Sequence, residues 1–252
     1  MNEIIKSLNN RKSVRAFEDK PISEQDKRAI LNSAIQSPTA GNMTLYTILD
    51  ITDQNLKDTL AITCDNQPFI AKAPMVLVFC ADYHRWYEMF RRHLSQVRNP
   101  SYGDLLLANA DALIAAQNCV VAADSLGIGS CYIGDITENF EKHRELLRLP
   151  SHVVPACMLV FGYPTEQQKN REKPCRFSLD DIVYENTYDD KKAHSMERMI
   201  SERQSIEDEA QLHLWIEKFC NRKYNSEFSI EMSRSCEEMI KSFCSAETES
   251  KS

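Results

Sequence analysis

Apolar residues fall into two patterns along this chain. Short continuous runs read as buried strands, and runs spaced by three and four read as amphipathic helices. The run at 75–80 (MVLVFC) and the run at 156–161 suit central strands, because a strand covered on both faces has no polar side. Residues 44–51 read as a further strand and 131–133 as a short one. Ile4, Ile5 and Leu8 predict a short N-terminal helix. Ser23-Glu24-Gln25-Asp26 resembles a capping box ahead of Ile30, Leu31, Ala34 and Ile35, in a helix that must stop before Pro38. Helices are also predicted at 56–62 and 138–147. The segment 105–126 is the strongest helix. Leu105, Leu106, Leu107, Ala110, Leu113, Ile114, Val120 and Val121 make it apolar nearly all round, which predicts burial on every side, in a subunit interface or a deep core. Residues 164–180 read as a polar loop with Pro164 and Pro174. Strands interleaved with helices predict an α+β or α/β layout around one sheet. From about Asp189 the chain turns charged and helical, with anchors at Leu212, Leu214, Trp215, Ile216, Phe219, Ile230, Met239, Ile240 and Phe243. The expected division is a domain over 1–188 and a helical extension over 189–252.

Composition narrows the class. The chain has 252 residues, 42% of them hydrophobic, and a net charge of −7. That is enough apolar matter for a full core. The acidic balance argues against nucleic acid or an anionic membrane as a partner. The run at 73–81 is too short to span a bilayer. Nine cysteines with no CxxC spacing suit reduced, mostly buried thiols in a cytoplasmic protein.

Several chemistries lack their motifs. No GxGxxG follows a strand, and GxxxxGK[ST], GxSxG and HExxH do not occur. His84, His93, His143, His152, His194 and His213 have no ligand spacing, so each reads as a lone surface histidine and no metal site is expected. Two basic clusters remain. Arg11-Lys12-Ser13-Val14-Arg15 places three cations and a hydroxyl together, and in an extended segment Arg11, Ser13 and Arg15 share one side. That group suits a phosphate monoester, although solvated surface charge is the favoured reading for either cluster taken alone. The second is 169–176 (KNREKPCR), in a loop after a buried strand. Ser125–Asp135 holds three of the six glycines. Gly127 reads as a helix C-cap and Gly134 as a close approach of backbone to a ligand.

Five segments taken in order carry a resemblance: RKSVRAF from Arg11, SPTAGN at 37–42, AADSLGIGSCYIGD at 122–135, FGYP at 161–164 and KPCRFSLDDIVYENTY at 173–188. Together they resemble the nitroreductase family, in particular its NfsA/flavin-reductase-like subgroup, over about residues 3–188. The resemblance implies an α+β fold with a central, mostly antiparallel sheet flanked by helices, in an intertwined homodimer with two FMN sites. It implies two-electron, ping-pong reduction of nitroaromatics, quinones or flavins by NADPH or NADH, with the redox step carried by FMN and no catalytic side chain. The acceptor would be a small aromatic molecule. Arg11, Lys12, Ser13 and Arg15 would hold the FMN phosphate and its neighbourhood, joined by Lys173 and Arg176. Gln67 would meet the isoalloxazine. Tyr132, Ile133, Gly134 and Asp135 would lie along it, and Pro38, Thr39, Ala40 and Asn42 would come from the facing subunit. Arg222 and Lys223 are candidates for selecting NADPH. Two departures stand out. The 38–42 loop is nearer the smaller subgroup, and Asp135 replaces a usual second glycine, placing a carboxylate where the reduced flavin carries negative charge. An FMN-binding redox sensor or flavin-storage protein is the alternative.

Overall fold

The structure is a computed structural model that describes residues 1–190 and 195–245; His194 lies outside the described residues. The chain forms two compact units. One comprises residues 1–171 with 231–252, and the other comprises 172–230.

The larger unit is built on a four-stranded antiparallel sheet. Its strands are β1 (Tyr46–Asp50), β2 (Met75–Asp82), β3 (Gly129–Ile133) and β4 (Val153–Gly162), in the order β1-β2-β4-β3. Every residue of β2 is buried, as the unbroken apolar run predicts. Its alternate residues feed two cores. Leu77 and Phe79, with Leu159 and Phe161 of β4, face a cluster that includes Ile30 and Ala34 of α2 (Glu24–Ile35). Val76, Val78 and Cys80, with Met158 and Val160, face a cluster that includes Leu60 of α3 (Gln54–Thr63) and Ile70 of α4 (Pro68–Lys72). The period-two alternation of a strand makes both cores from one segment.

The remaining helices of this unit are α1 (Glu3–Asn10), α5 (His84–His93), α6 (Tyr102–Ser125), α7 (Phe140–Leu146) and α8 (Glu166–Asn170). In the larger unit, Met239 and Phe243 pack with Leu45, Ala108, Phe140 and Val154 in a third cluster. Ser23 accepts a hydrogen bond from the Asp26 N–H at 3.0 Å, so the predicted cap forms.

Three readings need correction. The long helix α6 is not buried on every side. Its buried stripe is alanine and cysteine (Ala108, Ala112, Ala115, Ala116, Cys119, Ala123), while Leu106 is 70% and Leu107 51% exposed, with Leu113 and Ile114 also exposed. Small side chains let α6 lie close on the sheet, which leaves its leucines on the outer face. By length and composition α6 is also the one described helix apolar enough to cross a membrane. Secondly, the 164–180 loop contains α8, capped by Thr165. Thirdly, His143 and His152 are fully buried rather than on the surface. His143 is satisfied by the Ile136 carbonyl at 2.9 Å and Thr63 Oγ1 at 2.8 Å, whereas His152 meets the Phe243 carbonyl at 2.5 Å through Nδ1 and leaves its buried Nε2 without a partner.

The smaller unit is helical. It contains α9 (Leu179–Ile182), α10 (Met196–Gln204), α11 (Glu209–Lys223) and the start of α12 (Glu227–Cys244). Trp215 and Phe219 stack at 4.8 Å, and Arg203 lies 4.4 Å over the Phe177 ring.

Candidate functional site

The segment after α1 runs extended against the edge of the sheet. Ser13 forms a parallel bridge with Ser130, and the Val14 N–H donates to the Ser130 carbonyl at 2.9 Å. Farther on, Phe17 bridges Pro164 and the Glu18 N–H donates to the Tyr163 carbonyl at 2.8 Å. Two glycines make this crossing possible. Gly129 and Gly162 face each other across the β3–β4 register. A Cβ on Gly129 would stand 2.5 Å from Val14 Cγ2, and one on Gly162 would stand 2.7 Å from Phe17 Cδ1. The sequence marked Gly129 only as part of a glycine cluster; the pairing with Gly162, 33 positions away, is a tertiary fact.

Val14 is buried against Gly129, and Arg11, Ser13 and Arg15 come near Cys131. All three act on the Cys131 thiol: burial pushes it up, and Arg15, Ser13 and Arg11 pull it down. Arg11 likewise opposes the upward push that burial gives the Tyr132 phenol. Arg11 Nη1 is buried and has no hydrogen-bond partner. A buried guanidinium N–H without an acceptor is costly unless an anion meets it. Lys12 turns the other way. Its Nζ donates to the Lys169 carbonyl at 2.7 Å and to that of Arg171, which ties the segment to the end of α8. Gln168 Oε1 accepts from the Arg15 N–H at 3.0 Å, a brace between residues 153 positions apart that no local motif marks.

Tyr132 and Ile133 close β3, and Gly134 and Asp135 open a 3-10 turn, Gly134–Thr137. Gly134 is exposed, and a Cβ there would meet nothing within 4 Å, so this turn presents open backbone. Tyr132 Oη donates to Gln117 Oε1 at 3.3 Å. Gln67 caps α4 after Asp65 and Asn66, both in the left-handed region, and its Nε2 donates to the Cys64 carbonyl at 2.9 Å.

Pro38, Thr39, Ala40 and Asn42 lie between α2 and β1. Gly41 and Asn42 have positive φ, and Pro38 and Asn42 are exposed. Buried Asp111 of α6 holds this loop. It accepts from Thr39 Oγ1, from the Ala40 N–H at 3.0 Å and from the Leu45 N–H at 3.1 Å. Asp111 went unmarked in the sequence, since a lone acid in an apolar helix has no motif. Lys173 and Arg176 belong to the smaller unit, where Arg176 is exposed and its Nη1 donates to the Pro174 carbonyl at 3.5 Å. Cys64, Cys80, Cys119, Cys131 and Cys157 are buried, and burial pushes all but Cys131 up to about 12, so those four are not nucleophiles.

Fold and site together define an α+β protein that lays a basic, extended segment over a glycine pair at its sheet edge. A model of the nitroreductase family matches residues 8–163. The FMN reductase (NADPH) of Bacillus subtilis strain 168 is 32% identical over 191 residues, 75% of each chain. The oxygen-insensitive NADPH nitroreductase of Salmonella typhimurium is 34% identical over 191 residues, again 75% of each. The solved structure of B. megaterium NfrA1 has a TM-score of 0.80 at 28% identity, covering 97% of this chain and 100% of its own. This chain belongs to the nitroreductase family.

Proposed function

We propose that the chain is an FMN-dependent NAD(P)H oxidoreductase that passes two electrons to a small aromatic acceptor, a nitroaromatic, quinone or flavin, in the cytoplasm. The observation that carries this reading is Arg11: a buried guanidinium N–H with no acceptor, acting with Ser13 and Arg15 on Cys131 in the strand that ends at the exposed Gly134. The donor set fits a phosphorylated, planar cofactor. Guanidinium and hydroxyl groups suit its phosphate, and a strand end with an exposed glycine suits a flat ring.

In this reading Arg11, Ser13 and Arg15 hold the phosphate end and its neighbourhood. Lys12 braces the segment through the Lys169 and Arg171 carbonyls, and the family resemblance alone assigns its charge, and those of Lys173 and Arg176, to the phosphate. Gln67 orients the ring, and Tyr132, Ile133, Gly134 and Asp135 lie along it. When bound, FMN supplies the redox chemistry, accepting electrons from NAD(P)H and giving them to the acceptor in turn. Pro38, Thr39, Ala40 and Asn42 complete the site from a second copy, so the working form is a homodimer. The exposed apolar faces of α1 (Ile4, Ile5, Leu8) and α6 (Leu106, Leu107, Leu113, Ile114) support that assembly. Nine thiols without a disulfide among them suit a reducing compartment.

The purified protein is expected to be yellow and to bleach anaerobically under NADPH, with colour restored by a nitroaromatic or quinone. A colourless protein that takes up no FMN would refute the proposal. Arg11→Ala is expected to weaken FMN binding by about 10- to 100-fold, as for one lost hydrogen bond to a charged group. Recovery of free-flavin fluorescence on dilution measures it.

A further inference from the structure

A buried carboxyl stands just beyond the 132–135 strap. The Glu138 N–H donates to the Asp135 carbonyl at 3.1 Å. Its side chain is 6% exposed, and its Oε1 has no hydrogen-bond partner. The groups that face it are mostly acidic: Asp135 from the same turn, Asp65 from the turn after α3, and Glu231 from α12. From α7, buried His143 has both ring nitrogens engaged by Ile136 and Thr63, with Lys142 near it, and Cys64 at the end of α3 is a further neighbour. Arg234 of α12 is committed to Glu141 and Glu231. Burial first, and then Asp135, Asp65 and Glu231, push the Glu138 carboxyl up to about 7. A carboxyl in that position holds its proton part of the time at neutral pH.

We propose that Glu138 takes up a solvent proton when the bound flavin is reduced and releases it when the flavin is reoxidised, so that it couples proton uptake to electron transfer. The inference rests on the flavin reading of the 132–135 strap. NAD(P)H delivers two electrons with one proton, so reduction leaves one added negative charge at the site. That charge disfavours a second anion nearby, and the Glu138 carboxylate becomes a carboxylic acid by binding one proton from water. When an acceptor removes the two electrons, the same proton returns to water. Glu138 touches neither substrate nor cofactor in this scheme; it acts through the field. Asp135 raises the affinity of Glu138 for the proton and so sets where the coupling operates.

The test is the pH dependence of the flavin midpoint potential, measured by spectroelectrochemistry on the FMN-loaded full chain. Wild type is expected to show a steeper slope than Glu138→Gln above about pH 7, where the carboxyl is ionised beside the oxidised flavin and protonated beside the reduced one. Asp135→Asn is expected to move the steep region to lower pH. Reduced-minus-oxidised infrared spectra are expected to show a protonated carboxyl band that Glu138→Gln lacks. Equal slopes in wild type and Glu138→Gln, with both chains flavin-loaded, would overturn this inference alone. A chain that takes up no flavin would overturn it together with the proposed function.

Discussion

At the residue scale, a few polar side chains set the site by what they hold rather than by what they react with. Asp111 is the clearest. It sits in the alanine stripe of α6 and accepts from Thr39, Ala40 and Leu45 at once. Removing the carboxylate leaves the Ala40 and Leu45 N–H groups unsatisfied. At about 1–3 kcal/mol for each of the two stranded N–H donors, Asp111→Ala is expected to cost about 2–6 kcal/mol in urea denaturation. Because the loop it anchors is proposed to serve the facing subunit, the same variant should lose flavin more readily. Asp111→Asn keeps one acceptor oxygen and is expected to fall between the two. A wild-type denaturation midpoint in Asp111→Ala would show that the loop holds itself.

At the scale of elements, the sheet edge and the outer face of α6 carry the argument. The extended 11–18 segment can lie on β3 and β4 only because Gly129 and Gly162 stand opposite each other. Gly129→Ala would drive a methyl into Val14, an overpacking usually worth about 1–3 kcal/mol. The segment that would yield also carries Arg11 and Arg15, so this variant is expected to lose flavin affinity along with stability. Loss of stability alone would separate the crossing from the binding site. On α6, Leu106 and Leu113 are seven residues apart, as are Leu107 and Ile114, so all four form one exposed stripe. Leu113→Glu is expected to turn a dimer into a monomer by light scattering, with helix content unchanged by circular dichroism. A dimer that survives would place the interface elsewhere.

At the scale of the whole molecule, pH is a sensitive variable. The Glu138 carboxyl is raised from 4.5 to about 7 in the fold. The folded chain therefore binds more protons than the unfolded chain between those values, and stability falls as pH rises through them. Burial lowers His143 from 6.5, which works in the other sense: stability is lost as pH falls below that value. Glu138→Gln removes the first effect. It is expected to gain up to about 3 kcal/mol over wild type above pH 7, as for a shift of two to three pH units, and to match it near pH 4.5. Urea denaturation at acid and mildly alkaline pH checks both ends.

The amino-acid pattern by itself determined the parts that depend on neighbours in the chain. The unbroken 75–80 run could only be a strand covered on both faces, and the Ser23 cap is local geometry. Five short segments in order were enough to carry the family. Tertiary structure decided what depends on distant residues meeting. It turned the leucines of α6 outward, because alanines allowed a closer seat on the sheet. It made α8 out of a predicted loop and gave Lys12 to carbonyls more than 150 positions away. It also buried His143 among groups that satisfy it. Glu138 had no sequence signal at all. What distinguishes it is the absence of a partner for a buried oxygen, a property of the packing around it and of no local motif.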